Sequence, residues 1–215
     1  MRFHGRHWLM ILAGGASGLW AQDPLKVAAS HYKLIAENED VRLVAGSIPA
    51  GGKTAMHSHP ALMAVILEPG MVKWTMPDGK VVQSAPDMKR GTVTAMSAQS
   101  HISEAAGKSP VRVVLIEFKK PAPAAGKGAK PPAPASCRQL SDSPHASASL
   151  CTGGPGESVA RHTHAKNVVY VALTDVSAEI DANGKKRTLE MKRDEAAIAA
   201  PRPIQQSTKG RTNTS

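Results

Sequence analysis

Short apolar runs separated by turn residues dominate this chain. VRLVAGSI (41–48), ALMAVILE (61–68), MVKWTM (71–76), GTVTAM (91–96) and VRVVLIEF (111–118) each have the length of a strand, and most are bounded by Gly, Pro or Asp. The Asp78-Gly79 pair sits between two such runs and predicts a two-residue hairpin turn with positive φ at both central positions. Helical signals are weak. Apart from a turn near Ala28 to His31, no long stretch carries a 3.6-residue period. The pattern predicts an all-β fold.

The pattern is written twice. A shift of 105 positions carries Gly51 onto Gly156, His57 onto His162, His59 onto His164 and Asp78-Gly79-Lys80 onto Asn183-Gly184-Lys185. Between the copies lies PAPAAGKGAKPPAPAS (121–136), whose Pro, Ala, Gly and Lys cannot bury a core and favour an extended linker. The expected organisation is a first barrel over 25–119, a linker over 120–136 and a second, degenerate barrel over 137–215. The counterpart of the run Val111–Lys119 would begin where the second copy stops, so the second barrel is expected to lack a strand. The resulting unpaired edge suggests pairing between chains, as in a homodimer through the second barrel.

Composition narrows the function classes. Of 215 residues, 41% are hydrophobic but only 3% aromatic, so the core is aliphatic and bases find few stacking platforms. The formal charge of +10 is dispersed among acids, the leader and the linker, which argues against nucleic-acid binding. Residues 1–21 read as a signal peptide: Arg2 and Arg6 precede the apolar stretch Trp8 to Ala21, which Gly14, Gly15 and Gly18 interrupt and which is short for a membrane span. An exported, periplasmic or secreted protein without a membrane anchor is expected. Cys137 and Cys151 would be able to pair in such a compartment.

The chemistry rests on histidines. His57 and His59 are two apart, which on a strand turns both imidazoles to one face. His101 follows after further strands and can return to the same interior. Three imidazoles suit iron, manganese, nickel, zinc or copper, and leave coordination positions open for a small molecule. Met63 has the parity of His57 and His59, so its sulfur would face the metal and favour copper(I); filling the core is the plainer expectation. The methionines at 56, 63, 71, 76, 88 and 96 read together as an apolar pocket lining. In the second copy the third histidine position falls on Gln206, leaving His162 and His164 as a weaker site that Asn167 and Gln206 would complete with oxygen ligands. Glu104 stands three residues after His101, where a general base would be useful, although a charge near a strand end is more simply solvated. His31 and His145 have no partner spacing and are expected at the surface. No nucleophile elbow, phosphate loop or dinucleotide fingerprint occurs.

On these residues the sequence resembles the cupin superfamily. Gly51, His57, His59 and Gly70 fall on its first motif, while the glutamate position of that motif falls on Met63 or Ala64. Gly91 and His101 lie on the second motif, with Ser97, Gln99 and Ala105 near its proline, glycine and asparagine positions. The resemblance implies a duplicated jelly-roll barrel, a bicupin, with a divalent metal inside the first unit. It also implies dioxygenase-, isomerase- or decarboxylase-like chemistry on a small oxygen-rich substrate. The alternative is a non-catalytic metal- or ligand-binding and oligomerisation module of the cell envelope.

Overall fold

In the computed structural model the described residues are 22–84, 88–122, 136–163, 167–182, 185–199 and 203–207, with side chains left out of account at 159–163, 181–182 and 203–207. The signal-peptide region and most of the linker lie outside them.

The first half opens on a one-turn helix, α1 (Pro24–Val27), rather than at Ala28 to His31. Asp23 caps it by accepting from Leu25 N at 3.0 Å, and Pro24 stands where a missing N–H costs nothing. Nine strands follow: β1 (Tyr32–Glu37), β2 (Val41–Ile48), β3 (His57–His59), β4 (Leu62–Glu68), β5 (Val72–Thr75), β6 (Val81–Gln83), β7 (Val93–Met96), β8 (Gln99–Ala105) and β9 (Val111–Phe118). They form a five-stranded sheet in the order β1-β2-β9-β4-β7 and a four-stranded sheet in the order β3-β8-β5-β6. Ile48 and Val111 of the first sheet pack on Val72 and Ala105 of the second, closing a jelly-roll barrel.

The hairpin between β5 and β6 differs from the expected two-residue turn. Met76 O accepts from Gly79 N at 2.9 Å and Met76 N donates to Lys80 O at 2.8 Å, so the loop is Pro77-Asp78-Gly79, with φ of +81° at Gly79. A two-residue turn at Asp78-Gly79 would be closed by the N–H of residue 77 on Lys80 O; Pro77 has no N–H, and the closing bond moves out to Met76 N.

The second half repeats this architecture as β10 (Cys137–Asp142), β11 (Ser147–Cys151), β12 (Ser158–Thr163), β13 (Val168–Val171), β14 (Val176–Ala182), β15 (Lys185–Met191), β16 (Ala196–Ala199) and β17 (Pro203–Ser207). The sheet β12-β17-β14-β15 reproduces β3-β8-β5-β6, and the pairs β10-β11 and β13-β16 reproduce β1-β2 and β4-β7. Even irregularities recur. The bulge between Leu34 and Ala36 returns between Gln139 and Ser141, and the pair Tyr32–Gly46 returns as Cys137–Cys151. In that repeated pair the cysteines are joined by a disulfide. Among the described residues no strand joins β11 to β13 as β9 joins β2 to β4.

The outer face of the five-stranded sheet is covered by the second half: Val65, Leu67 and Val114 pack with Val171, Leu173 and Ala196. Burial on both faces explains why 61–68 is a continuous apolar run instead of an alternating one. Arg90 fastens this contact, donating to Leu67 O and to Leu173 O and pairing with Asp194, to which Arg112 also bonds at 2.9 Å. His145, expected at the surface, stacks on Phe118 with ring centroids 4.7 Å apart. Among the described residues no helix is long and apolar enough to cross a membrane.

Candidate metal centre

Strand register assembles the site. His57 and His101 are direct partners in the β3–β8 ladder, and His59 lies opposite Gln99. The three rings sit with centroids 4.8 to 5.4 Å apart, all buried, and offer ligand atoms within 4.8 Å of one another. Thr54 ties the loop before His57 to the strand carrying His101, its hydroxyl accepting from Ser103 N at 2.9 Å. Behind β3, Ser58 bonds Ser100 Oγ at 2.7 Å and donates from its backbone N to Gln22 O at 2.9 Å.

Hydrogen bonding decides which nitrogens face inward. His57 Nδ1 donates to Ala55 O at 2.8 Å, because a carbonyl can only accept; this leaves the lone pair on Nε2, which is buried and has no hydrogen-bond partner. His59 Nδ1 likewise donates to Glu117 Oε1 at 2.6 Å, which leaves Nε2 as the nitrogen that Glu117 does not engage. His101 Nδ1 is also buried without a hydrogen-bond partner. Burial presses His57 down to about 4 and His101 to about 3, far below an ordinary imidazole, so both rings are neutral donors near pH 7. Buried polar atoms are nearly always satisfied, and orphaned nitrogens aimed into one cluster are what a metal ion would satisfy.

Tyr32 walls the cluster, its ring 5.0 Å from that of His57 and 5.8 Å from that of His59. Burial pushes its phenol up to about 12. Gly46 makes room for it: a Cβ there would stand 2.8 Å from Val113 Cγ2 and 3.1 Å from Tyr32 Cε1. On the other side Trp74 lies 6.5 Å from His101, and beside it opens a cavity of about 540 Å³ lined by Trp74, Met76, Val82, Met96 and Gln99 among others.

No family model matches the sequence, and no curated protein matches it. Solved structures do. A cupin 2 conserved barrel domain protein from Leptotrichia buccalis is 12% identical over 83% of this chain and 82% of its own, with a TM-score of 0.51. The fold is that of a cupin. AerE from Microcystis aeruginosa is 14% identical over 82% of this chain and 85% of its own, with a TM-score of 0.52. At these identities the likeness carries the cupin fold alone; its coverage runs through both halves.

Several expectations for the cupin interior change. Met63 does not face the histidines. It shares the parity of Val65 and Leu67, which pack toward the second half, whereas Leu62 and Ala64 share the interior cluster with Tyr32. Pro60 and Ala61 separate β3 from β4 and break the alternation on which the expectation rested. Of the methionines, Met76 and Met96 line the cavity. Glu104 has the opposite parity to His101 and pairs with Lys73 at 2.9 Å, so it is not a base at this site. Asn167 bonds Asp40 at 2.5 Å instead of completing a second centre. The side chains of His162 and Gln206, and all of His164, lie outside the described residues; along the backbone Gln206 faces Val159, and His162 faces Ile204.

Sequence reasoning missed Glu117, Arg42 and Tyr32. Glu117 shares the interior parity of Val113 and Leu115, and Arg42 that of Val44 and Gly46; they meet as ladder partners with Arg42 Nε donating to Glu117 Oε2 at 2.5 Å. A signal was present. Each is a charge placed on the inward-facing register of an otherwise apolar strand, where it must be paired.

Proposed function

We propose that this cupin-fold protein is exported, holds one divalent metal ion through His57, His59 and His101, and presents it to a small oxygen-rich substrate. The observation that carries this reading is the convergence of buried, unpartnered imidazole nitrogens in a cluster with ligand atoms within 4.8 Å. Neutral imidazoles suit iron, manganese, nickel, zinc or copper. When bound, such an ion supplies Lewis-acid polarisation of a substrate oxygen.

The chain's own residues do the rest. Ala55 O and Glu117 hold the His57 and His59 rings by Nδ1 and leave Nε2 as the nitrogen available to the ion. Tyr32 closes one side of the cluster, and on the other Trp74, 6.5 Å from the His101 ring, stands between it and a cavity large enough for a small molecule. In that cavity Trp74, Met76, Val82 and Met96 offer apolar contact, and Asp78, Lys80 and the Gln99 amide offer polar groups to an oxygen-rich molecule. Export is supported by the leader-like first 21 residues and by the Cys137–Cys151 disulfide, which suits an oxidising compartment.

Elemental analysis of mature protein purified without an affinity tag tests the metal. About one metal per chain, lost in His57→Ala and retained in His162→Ala, is the expected result. A wild type that stays metal-free after reconstitution sinks the reading. For export, N-terminal sequencing of the periplasmic or secreted form should start near Gln22; an intact Met1 on a cytoplasmic protein would reject it.

A further inference from the structure

We infer that Glu117, aimed by Arg42 and Asp23, is the positioning carboxylate of the histidine site, acting on the metal through His59 instead of ligating it. The inference rests on the metal-holding reading above.

Four ionisable side chains run in a buried line from the α1 cap to the histidines. Asp23 Oδ1 accepts from Leu25 N and its Oδ2 from Arg42 Nη1 at 2.8 Å; Arg42 Nε reaches Glu117 Oε2 at 2.5 Å; Glu117 Oε1 takes the His59 Nδ1 proton at 2.6 Å. Glu117 is wholly shielded from water, at 0% exposure. A charge so placed is costly unless every lone pair has a task, and both oxygens of Glu117 are committed to opposite partners.

The line ends at the histidine cluster. Asp23, Arg42 and Glu117 are each engaged by their neighbours in the line, and its inner end is the ring of His59, held by Nδ1 and clustered with the rings of His57 and His101. A cation held by the cluster would stand third in the series carboxylate, imidazole, metal. In that arrangement the carboxylate holds the ring orientation and makes the imidazole a stronger donor. The ladder adds a second argument. Glu117 lies across from Leu62, next to the Met63 and Ala64 positions where a glutamate of the first motif would fall. The negative charge absent there reaches the same end of the barrel from β9 and is spent on a histidine.

Zinc alone is the probe. With zinc-loaded wild type, ¹⁵N-resolved histidine spectra should show His59 bound through Nε2 and a strongly deshielded Nδ1 proton. In Glu117→Gln that proton should move upfield and zinc affinity, measured by chelator competition at one pH, should fall about 10- to 100-fold. Unchanged affinity in a folded Glu117→Gln protein, with only a lower melting temperature, would reduce Glu117 to a structural residue and overturn the inference. Should that variant not fold, the wild-type spectrum decides alone: zinc on His59 Nδ1 overturns it. A wild type that binds no zinc or other divalent ion removes the metal reading itself, an outcome distinct from either.

Discussion

His57 and His101 are direct partners across the β3–β8 ladder, so one strand register determines whether their rings meet. Since the period of a strand is two, a slip of one residue would turn His101 out of the barrel and Ile102 in. Divalent metal should therefore raise the melting temperature of wild type strongly. A ligand at 100 times its dissociation constant stabilises by about 2.7 kcal/mol. His101→Ala should abolish that rise; an equal rise in the variant, followed by differential scanning calorimetry, would place the ion elsewhere.

The metal-free protein should lose stability on mild acidification. Burial lowers His57 to about 4 and His101 to about 3 from an ordinary 6.5. Between pH 6.5 and about 4 the unfolded chain therefore takes up protons at these positions that the folded chain refuses. Stability falls as pH falls, by up to about 1.4 kcal/mol per unit for each ring, and levels off below the folded values. Urea midpoints of apo protein measured from about pH 7 to about pH 4 should trace this slope. A double His57→Ala, His101→Ala variant should be flatter over the same range.

Gly46→Ala should cost about 1–3 kcal/mol, the usual range for overpacking a filled core. The new methyl would stand 2.8 Å from Val113 Cγ2, and the Tyr32 ring, at 3.1 Å, would have to yield. Because that ring touches His57 and His59, metal affinity should weaken as well. Urea denaturation and metal competition on one preparation check both effects; a neutral substitution would mean the Tyr32 seat has slack.

Reduction should loosen the second half first. The Cys137–Cys151 disulfide closes a loop with a sequence separation of 14, worth roughly 3 kcal/mol in the chain-entropy account. Cys137→Ser with Cys151→Ser should raise amide exchange over β10 and β11 while β3 and β8 stay protected. Free-thiol titration of the native protein should find no reactive thiol.

Much was legible before any tertiary contact was known. The strand-length apolar runs VRLVAGSI, ALMAVILE and VRVVLIEF, the turns between them and the offset from His57 to His162 suffice for an all-β, twice-written chain, because strand length and turn chemistry are local properties. The His57–His59 spacing likewise brings two imidazoles to one face without outside help. The Asp78-Gly79 hairpin departs from a two-residue turn for an equally local reason, the missing N–H of Pro77.

What only the tertiary structure decided is which strands lie side by side. Glu117 meets His59 across 58 positions of sequence, and Arg42 meets Glu117 across 75. Met63 turns from the histidines because a break at Pro60-Ala61 resets the parity between β3 and β4. Periodicity is carried within a strand and stops at its ends; the pairing that joins separate strands depends on sheet order and register, and these are settled by the packing of the whole barrel.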